Sequence, residues 1–219
     1  MALLLAEVAE QAGRFDDMML EMRRFCSERS RLNLKERNLL AAACKSCLAS
    51  RLFAVRTLKS QALEENSLKR DCLSGYLHKL QVEIQDICDG TLEILAKLKA
   101  GNSEDIVFYK KMQADYYRVK AEFNQPEAAA KSHWNYSQAE ILAERDLPVW
   151  NPIRLSVALN FCILIAQEDE KRARQKARQA YDAALDQLDA IPEDVYKDST
   201  LILQLLRDVV EPWRLWQEA

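Results

Sequence analysis

"VFYKKMQADYYRVKAEF", residues Val107 to Phe123, reads as a helix whose charges stand in an unusual register. Lys111, Asp115 and Arg118 recur at steps of four and three. That spacing collects side chains on one helix face, and an amphipathic helix normally gives it to its apolar stripe. A charged stripe in this register is either a solvated face or the lining of a charged groove.

The surrounding chain supports the helical reading. Among 219 residues there are only four glycines and five prolines, and long runs are rich in Ala, Leu, Glu, Gln, Lys and Arg, all good helix formers. No alternating strand pattern persists. Nine helices are predicted, at about Ala2–Gln11, Asp16–Ser27, Lys35–Glu64 (starting at Asn33 or Lys35), Ser67–Gly101, Ser103–Asn124, Pro126–Arg145, Pro152–Ala166, Asp169–Ala190 and Asp194–Trp216. Asn151 is placed to cap the seventh, with Pro152 in its first turn. Short connections favour antiparallel neighbours, so the predicted class is all-α, a nine-helix antiparallel array. The first two helices are short, and Leu3, Leu4, Val8, Phe15, Met19, Met22 and Phe25 are their candidate apolar contacts. Such a pair is a poor core alone and wants a partner.

Composition removes several function classes. The net charge is -3, from 31 basic and 34 acidic side chains interspersed along the chain, which argues against a general nucleic-acid binder. Six cysteines fall inside helical patterns rather than turns, pointing to a reducing compartment. Cys44 and Cys47 form a lone C-x-x-C without a second pair or a nearby histidine, better read as packed apolar residues than as a zinc site. No transmembrane run is read, and the opening MALLLAEVAEQAGRF lacks the basic start of a signal peptide. The expected location is cytoplasmic, with the nucleus left open. His78 and His133 are the only histidines and lie on different predicted helices. No triad, P-loop or metalloprotease pattern is convincing, so catalysis is not expected. No cofactor or metal is called for.

Several long stretches resemble the 14-3-3 family: ERNLL at Glu36–Leu40, VFYKKMQADYYR at Val107–Arg118, NPIRLSVALNF at Asn151–Phe161 and YKDSTLILQLLRD at Tyr196–Asp208. AEQAGRFDDM resembles the family's first interhelical turn. The resemblance runs along nearly the full length. It implies a single domain over residues 1–219, with dimerisation helices at 1–28, long helices at 33–101 and groove-forming helices at 103–219. It also implies a cup-shaped dimer whose protomers each carry a groove for phosphoserine or phosphothreonine peptides. Arg14 and Asp17 match family positions that pair across the dimer interface, with Glu83 and Lys79 as their matching partners.

The resemblance also assigns the groove. Lys45 matches the family's phosphate-binding lysine and Arg118 its fifth-helix arginine. Two further positions depart: Leu52 stands where the family has an arginine, and Val119 where it has a tyrosine. A guanidinium fork and a hydroxyl are thereby replaced by apolar groups. Arg56, one turn beyond Leu52 on the face of Lys45, either swings toward the vacated position or leaves a site suited to a carboxylate or an unmodified peptide. Arg51 points about a hundred degrees away, from the rotation per residue of a helix. Asn160, the one amide in an otherwise apolar segment, matches the asparagine that binds the peptide main chain, although it would also suit an internal partner. Leu159, Leu201, Ile202, Leu205 and Trp213 match the apolar lining, while Gln167, Val209 and Pro212 replace an acid, a second asparagine and a leucine. Asp115 is read as a positioning group for the basic side chains rather than a ligand.

The partners implied are phosphorylated client proteins or peptides, and a second protomer in a homodimer or in a heterodimer with another family member. No nucleic acid and no membrane insertion are implied. Two readings compete with a phosphopeptide-binding adaptor. One is a member with phosphate-independent client binding or a heterodimer-partner role. The other is an anionic-surface or nucleic-acid-binding helical module, suggested by EDEKRARQKAR at Glu168–Arg178, where a solvated face is the better reading.

Overall fold

The computed structural model describes residues 1–61, 67–123 and 125–210. Nine α-helices follow one another among these residues: α1 Ala2–Gln11, α2 Phe15–Ser27, α3 Leu34–Gln61, α4 Ser67–Lys97, α5 Ser103–Glu122, α6 Pro126–Asp146, α7 Pro152–Ile165, α8 Glu170–Leu185 and α9 Glu193–Val210. No strand occurs among them. The all-α expectation holds, and most boundaries fall within two residues of those read from sequence. The predicted ends of the third, fifth and ninth helices, at Glu64, Asn124 and Trp216, lie outside the described residues.

Local chemistry sets the boundaries. Gly13 takes φ +67° between α1 and α2, a left-handed conformation that costs glycine little. At α3, Asn33 and Glu36 form a reciprocal capping box: the Asn33 N–H donates to Glu36 Oε2 at 2.8 Å, and the Glu36 N–H to Asn33 Oδ1 at 2.9 Å. The Asp105 N–H donates to Asn102 Oδ1 at the start of α5. Asn151 caps α7 as expected, accepting from the N–H groups of Ile153 and Arg154. Two helices end early. The Lys99 N–H leaves the α4 ladder for the Ser30 carbonyl at 2.6 Å. After α8 the chain tightens into a short 3-10 turn at Leu188–Ala190, before Pro192, which cannot donate to a helix ladder.

Helices α1–α4 form one compact unit and α5–α9 a second. In the first, α3 packs against α2 and α4, burying Met18, Met22, Leu40, Ala43, Cys44, Ile84 and Cys88. By length and hydropathy alone, Leu34–Ser60 would suffice to cross a membrane, a departure from the expectation that no run does. Its Leu40, Ala43, Cys44, Cys47, Leu48 and Val55 are buried within the protein instead. In the second unit, α7 packs against α6, α8 and α9. Tyr136, Leu155, Phe161, Cys162, Ala177 and Leu206 form the centre of its core. Alanines at 173, 177 and 184 on one face of α8 admit close approach of the neighbouring helices.

Candidate functional site

On α5, the charges of the opening stretch are bound into a network. Asp115 Oδ2 accepts from Lys111 Nζ at 2.8 Å, the ion pair that an i,i+4 step allows. Asp115 Oδ1 accepts from Asn160 Nδ2 of α7 at 2.9 Å and from the Tyr136 hydroxyl of α6. One carboxylate thus takes donors from three helices, within the roughly four lone-pair sites it offers. Tyr136 is fully buried and stacked on Phe161, with ring centroids 5.7 Å apart. Burial pushes the Tyr136 phenol up, and the negative charge of Asp115 adds to this, while the hydrogen-bonded Arg118 guanidinium pulls the other way. The phenol therefore stays protonated and donates to the carboxylate. Asp115 acts here as an acceptor that orients side chains, and Arg118 sits against the phenol that it holds.

The other groove positions are distributed over both units. Lys45 and Arg56 are exposed on α3, with Leu52 half-buried between them. Arg51 is committed elsewhere, 2.7 Å from Asp16 Oδ1 and 3.2 Å from Glu83 Oε2. On α9, Leu201 and Leu205 are exposed by 55% and 45%, while Ile202 and Val209 are partly buried against the core of the second unit. Leu159 is itself a member of that core. Val119 is buried and Gln167 exposed. Pro212 and Trp213 lie outside the described residues.

Residues 5–214 match the family described as "14-3-3 protein". The chain belongs to the 14-3-3 family. It is 38% identical to 14-3-3 protein 3 of Entamoeba histolytica over 222 residues, which cover 95% of this chain and 92% of that protein. It is 39% identical to 14-3-3-like protein 1 of Caenorhabditis elegans over 218 residues, covering 95% and 88%. It is 37% identical to 14-3-3 protein beta/alpha of Gallus gallus over 219 residues, covering 95% and 90%. Members of the 14-3-3 family are non-enzymatic adaptors, and membership supports client-protein binding and dimerisation as the general roles of this chain.

The 14-3-3 positions expected at the dimer interface all have partners inside the chain. Arg14 pairs with Asp17 one turn away. Glu83 pairs with Arg51, and Lys79 lies over the Tyr76 ring at 5.8 Å. Nearby, Leu4, Leu5, Val8 and Phe15 expose apolar surface. Met19, Met22 and Phe25, grouped with them at the sequence level, are buried instead.

The C-x-x-C pair is packed. Cys47 Sγ donates to Asp16 Oδ1 at 3.2 Å, and Cys44 Sγ approaches Met19 Sδ at 3.6 Å. Burial, reinforced by Asp16, pushes the Cys47 thiol up to about 12. No group of three or more His, Cys, Asp or Glu able to hold a metal occurs among the described residues.

The basic run on α8 is largely neutralised. Arg174 pairs with Glu170, Lys176 with Glu140 and Arg178 with Asp182. The residue that sequence reasoning missed is Tyr136. Flanked by Asn135 and Ser137 in a mostly polar stretch of α6, its ring and hydroxyl carried no signal in the sequence.

Proposed function

We propose that this protein is a non-catalytic adaptor that binds phosphoserine or phosphothreonine peptides of client proteins through an altered anion site. Arg118 is its fixed cation, Lys45 and Arg56 its exposed ones, and Asp115 its positioner. Asn160 binds the peptide main chain, and Leu201 and Leu205 give apolar contact. The observation that carries the reading is the Asp115 network. Three helices contribute donors to one carboxylate, which is more order than a solvated surface needs. A preorganised cation gains affinity because its side chain is already ordered before the ligand arrives.

The apolar character of Leu52 and Val119 favours a second reading, phosphate-independent client binding or a heterodimer-partner role. Each strong charged contact missing from a phosphate site costs about 1.5–3 kcal/mol. Two such losses carry a micromolar site to about millimolar or beyond.

The test is a titration of a doubly phosphorylated peptide and its unphosphorylated twin against the purified protein. A large preference for the phosphorylated form supports the first reading, and equal binding sinks it. Lys45→Glu should abolish the phosphorylated-peptide signal. Arg56→Ala should weaken it, and unchanged binding there would remove Arg56 from the site.

Dimerisation of this chain is proposed through α1 and α2. Its support is the exposed Leu4, Leu5, Val8 and Phe15, beside charges that would exchange their intrachain partners for Lys79 and Glu83 of a second protomer. A monomeric sedimentation profile at micromolar concentration would remove it, and with it the bivalent gain of two linked grooves.

A further inference from the structure

We infer that the cleft between α6 and α8 is a binding site for a small zwitterion with an apolar side chain, an amino acid of the leucine type. The cleft lies wholly within the second unit and shares no residue with the proposed peptide groove. It encloses about 160 Å³. Small side chains make the space: Ala143 of α6, Leu155 and Ala158 of α7, and Ala180 and Ala183 of α8 line it. An apolar group that enters there leaves water for apolar walls, which favours its binding.

Four charged side chains line the same cleft, and they form two pairs of different standing. Glu140 and Lys176 are spent on each other. Lys176 Nζ donates to Glu140 Oε2 at 2.6 Å, and the ammonium lies 5.3 Å from the centre of the Phe161 ring. This pair adds no net charge to the cleft, so an ionic side chain gains little from it. Arg154 and Glu144 are not paired in this way. Arg154 Nη1 donates to the Leu147 carbonyl at 2.7 Å and to the Glu144 carbonyl at 3.3 Å. Both carbonyls belong to the C-terminal end of α6, where the helix ladder leaves acceptors over.

One nitrogen therefore pins the guanidinium to the end of α6. Its Nε and Nη2 have no acceptor among the described residues. Those two nitrogens form an edge that a carboxylate meets bidentately. The order of the arginine is already established before a ligand arrives, which lowers the cost of binding. Glu144 is exposed at the cleft, and its carboxylate joins no ion pair among the described residues.

The lining thus offers one uncommitted cation and one uncommitted anion beside apolar walls. A plain carboxylic acid would gain the guanidinium but stand near a like charge, and a plain amine would do the reverse. A zwitterion answers both. Its carboxylate takes Nε and Nη2 of Arg154, its ammonium turns to Glu144, and its side chain enters among the alanines.

The experiment titrates the purified full chain with L-leucine and with three relatives. Isocaproate keeps the carboxylate alone, isoamylamine keeps the ammonium alone, and glycine lacks the side chain. The readout is the methyl NMR signals of Ala143, Ala158 and Ala180. Leucine should shift these signals saturably. Isocaproate and isoamylamine should each bind about tenfold more weakly, the scale of one hydrogen bond to a charged group. Glycine should leave the methyl signals in place. Glu144→Gln, at an exposed position, should weaken leucine and bring it level with isocaproate. Arg154→Lys keeps a cation but loses the fork, and should weaken leucine and isocaproate alike by about tenfold. Ala180→Leu fills the cleft and should abolish the shifts.

No saturable shift with leucine overturns the inference. Isocaproate binding to wild type as tightly as leucine overturns it too, because the ammonium would then have no partner. So does a leucine affinity that Glu144→Gln leaves unchanged. Should a thermal melt show that Arg154→Lys or Ala180→Leu does not fold, the ligand series on wild type and Glu144→Gln decides the matter.

Discussion

Helix α5 holds its basic side chains among acceptors, with Lys111 on one oxygen of Asp115 and Arg118 against a phenol locked in the core. Helix α3 presents Lys45 and Arg56 to solvent with Leu52 half-buried between them, and turns Arg51 away to Asp16 and Glu83. The difference concerns when order is imposed. A long cationic side chain carries about 2 kcal/mol of rotamer entropy. On α5 that cost is met during folding. On α3 it falls on the binding step, where it subtracts from affinity. The exposed charges of α3 give attraction that added salt screens more readily than the bound charges of α5.

The sharpest way to break this contrast is to remove the acceptor. Asp115→Ala leaves the Tyr136 hydroxyl and the Asn160 amide without their shared partner and frees Lys111. Unsatisfied buried donors each cost about 1–3 kcal/mol, so the variant should lose about 2–4 kcal/mol of stability in urea. Arg56→Ala, at an exposed position, should stay within about 0.5 kcal/mol of wild type. Equal losses for the two variants would mean that α5 is no better ordered than α3.

Restoring the two replaced positions separates binding from packing. Leu52 is half-buried, so Leu52→Arg can lay its stem along the helix and carry its head to water. It should tighten phosphopeptide binding by about 10- to 100-fold, one recovered charged contact. No tightening would show that position 52 does not face the ligand. Val119 is buried, and a tyrosine there must displace packed neighbours. Val119→Tyr alone should cost about 1–3 kcal/mol in a thermal or urea melt without improving affinity. A stable variant that binds more tightly would reveal space at 119 for the missing hydroxyl.

The fold was legible because periodicity, caps and breakers agreed. Asn151 and Pro152 announced α7, whereas the Asn33–Glu36 capping box that starts α3 emerged only in the structure. The ends of α4 and α8 were less legible, since a bond from Lys99 to Ser30 depends on tertiary proximity.

At the candidate site, the spacing of Lys111, Asp115 and Arg118 marked a charged face. It said nothing about what lay above that face. Asn160 stood out as an amide in an apolar run, and both its candidate roles remained open. It donates to Asp115, the internal partner that the sequence allowed. Tyr136 was invisible because a tyrosine in a helix usually contributes its ring to the core, and only the fold brings its hydroxyl to Asp115.

The smallest expected effect tests the diverted arginine of α3. The hydrogen bond from Arg51 holds the Asp16 carboxyl below its ordinary value, with a further contribution from Cys47, against the opposing effect of burial. A folded-state pKa below the unfolded one contributes stability that is present above the ordinary carboxylate value near pH 4. That contribution is lost as pH falls through the folded value. The Asp16 side chain is 65% exposed, so solvent screening keeps the pair to a few tenths of a kcal/mol. Wild type should therefore be slightly more stable than Asp16→Asn in urea at pH 7, with the gap closing as pH drops below about 4. A gap that stays constant across that range would show that Arg51 is not held by charge. It would then be available as a further exposed cation of α3, and the contrast between the two helices would narrow.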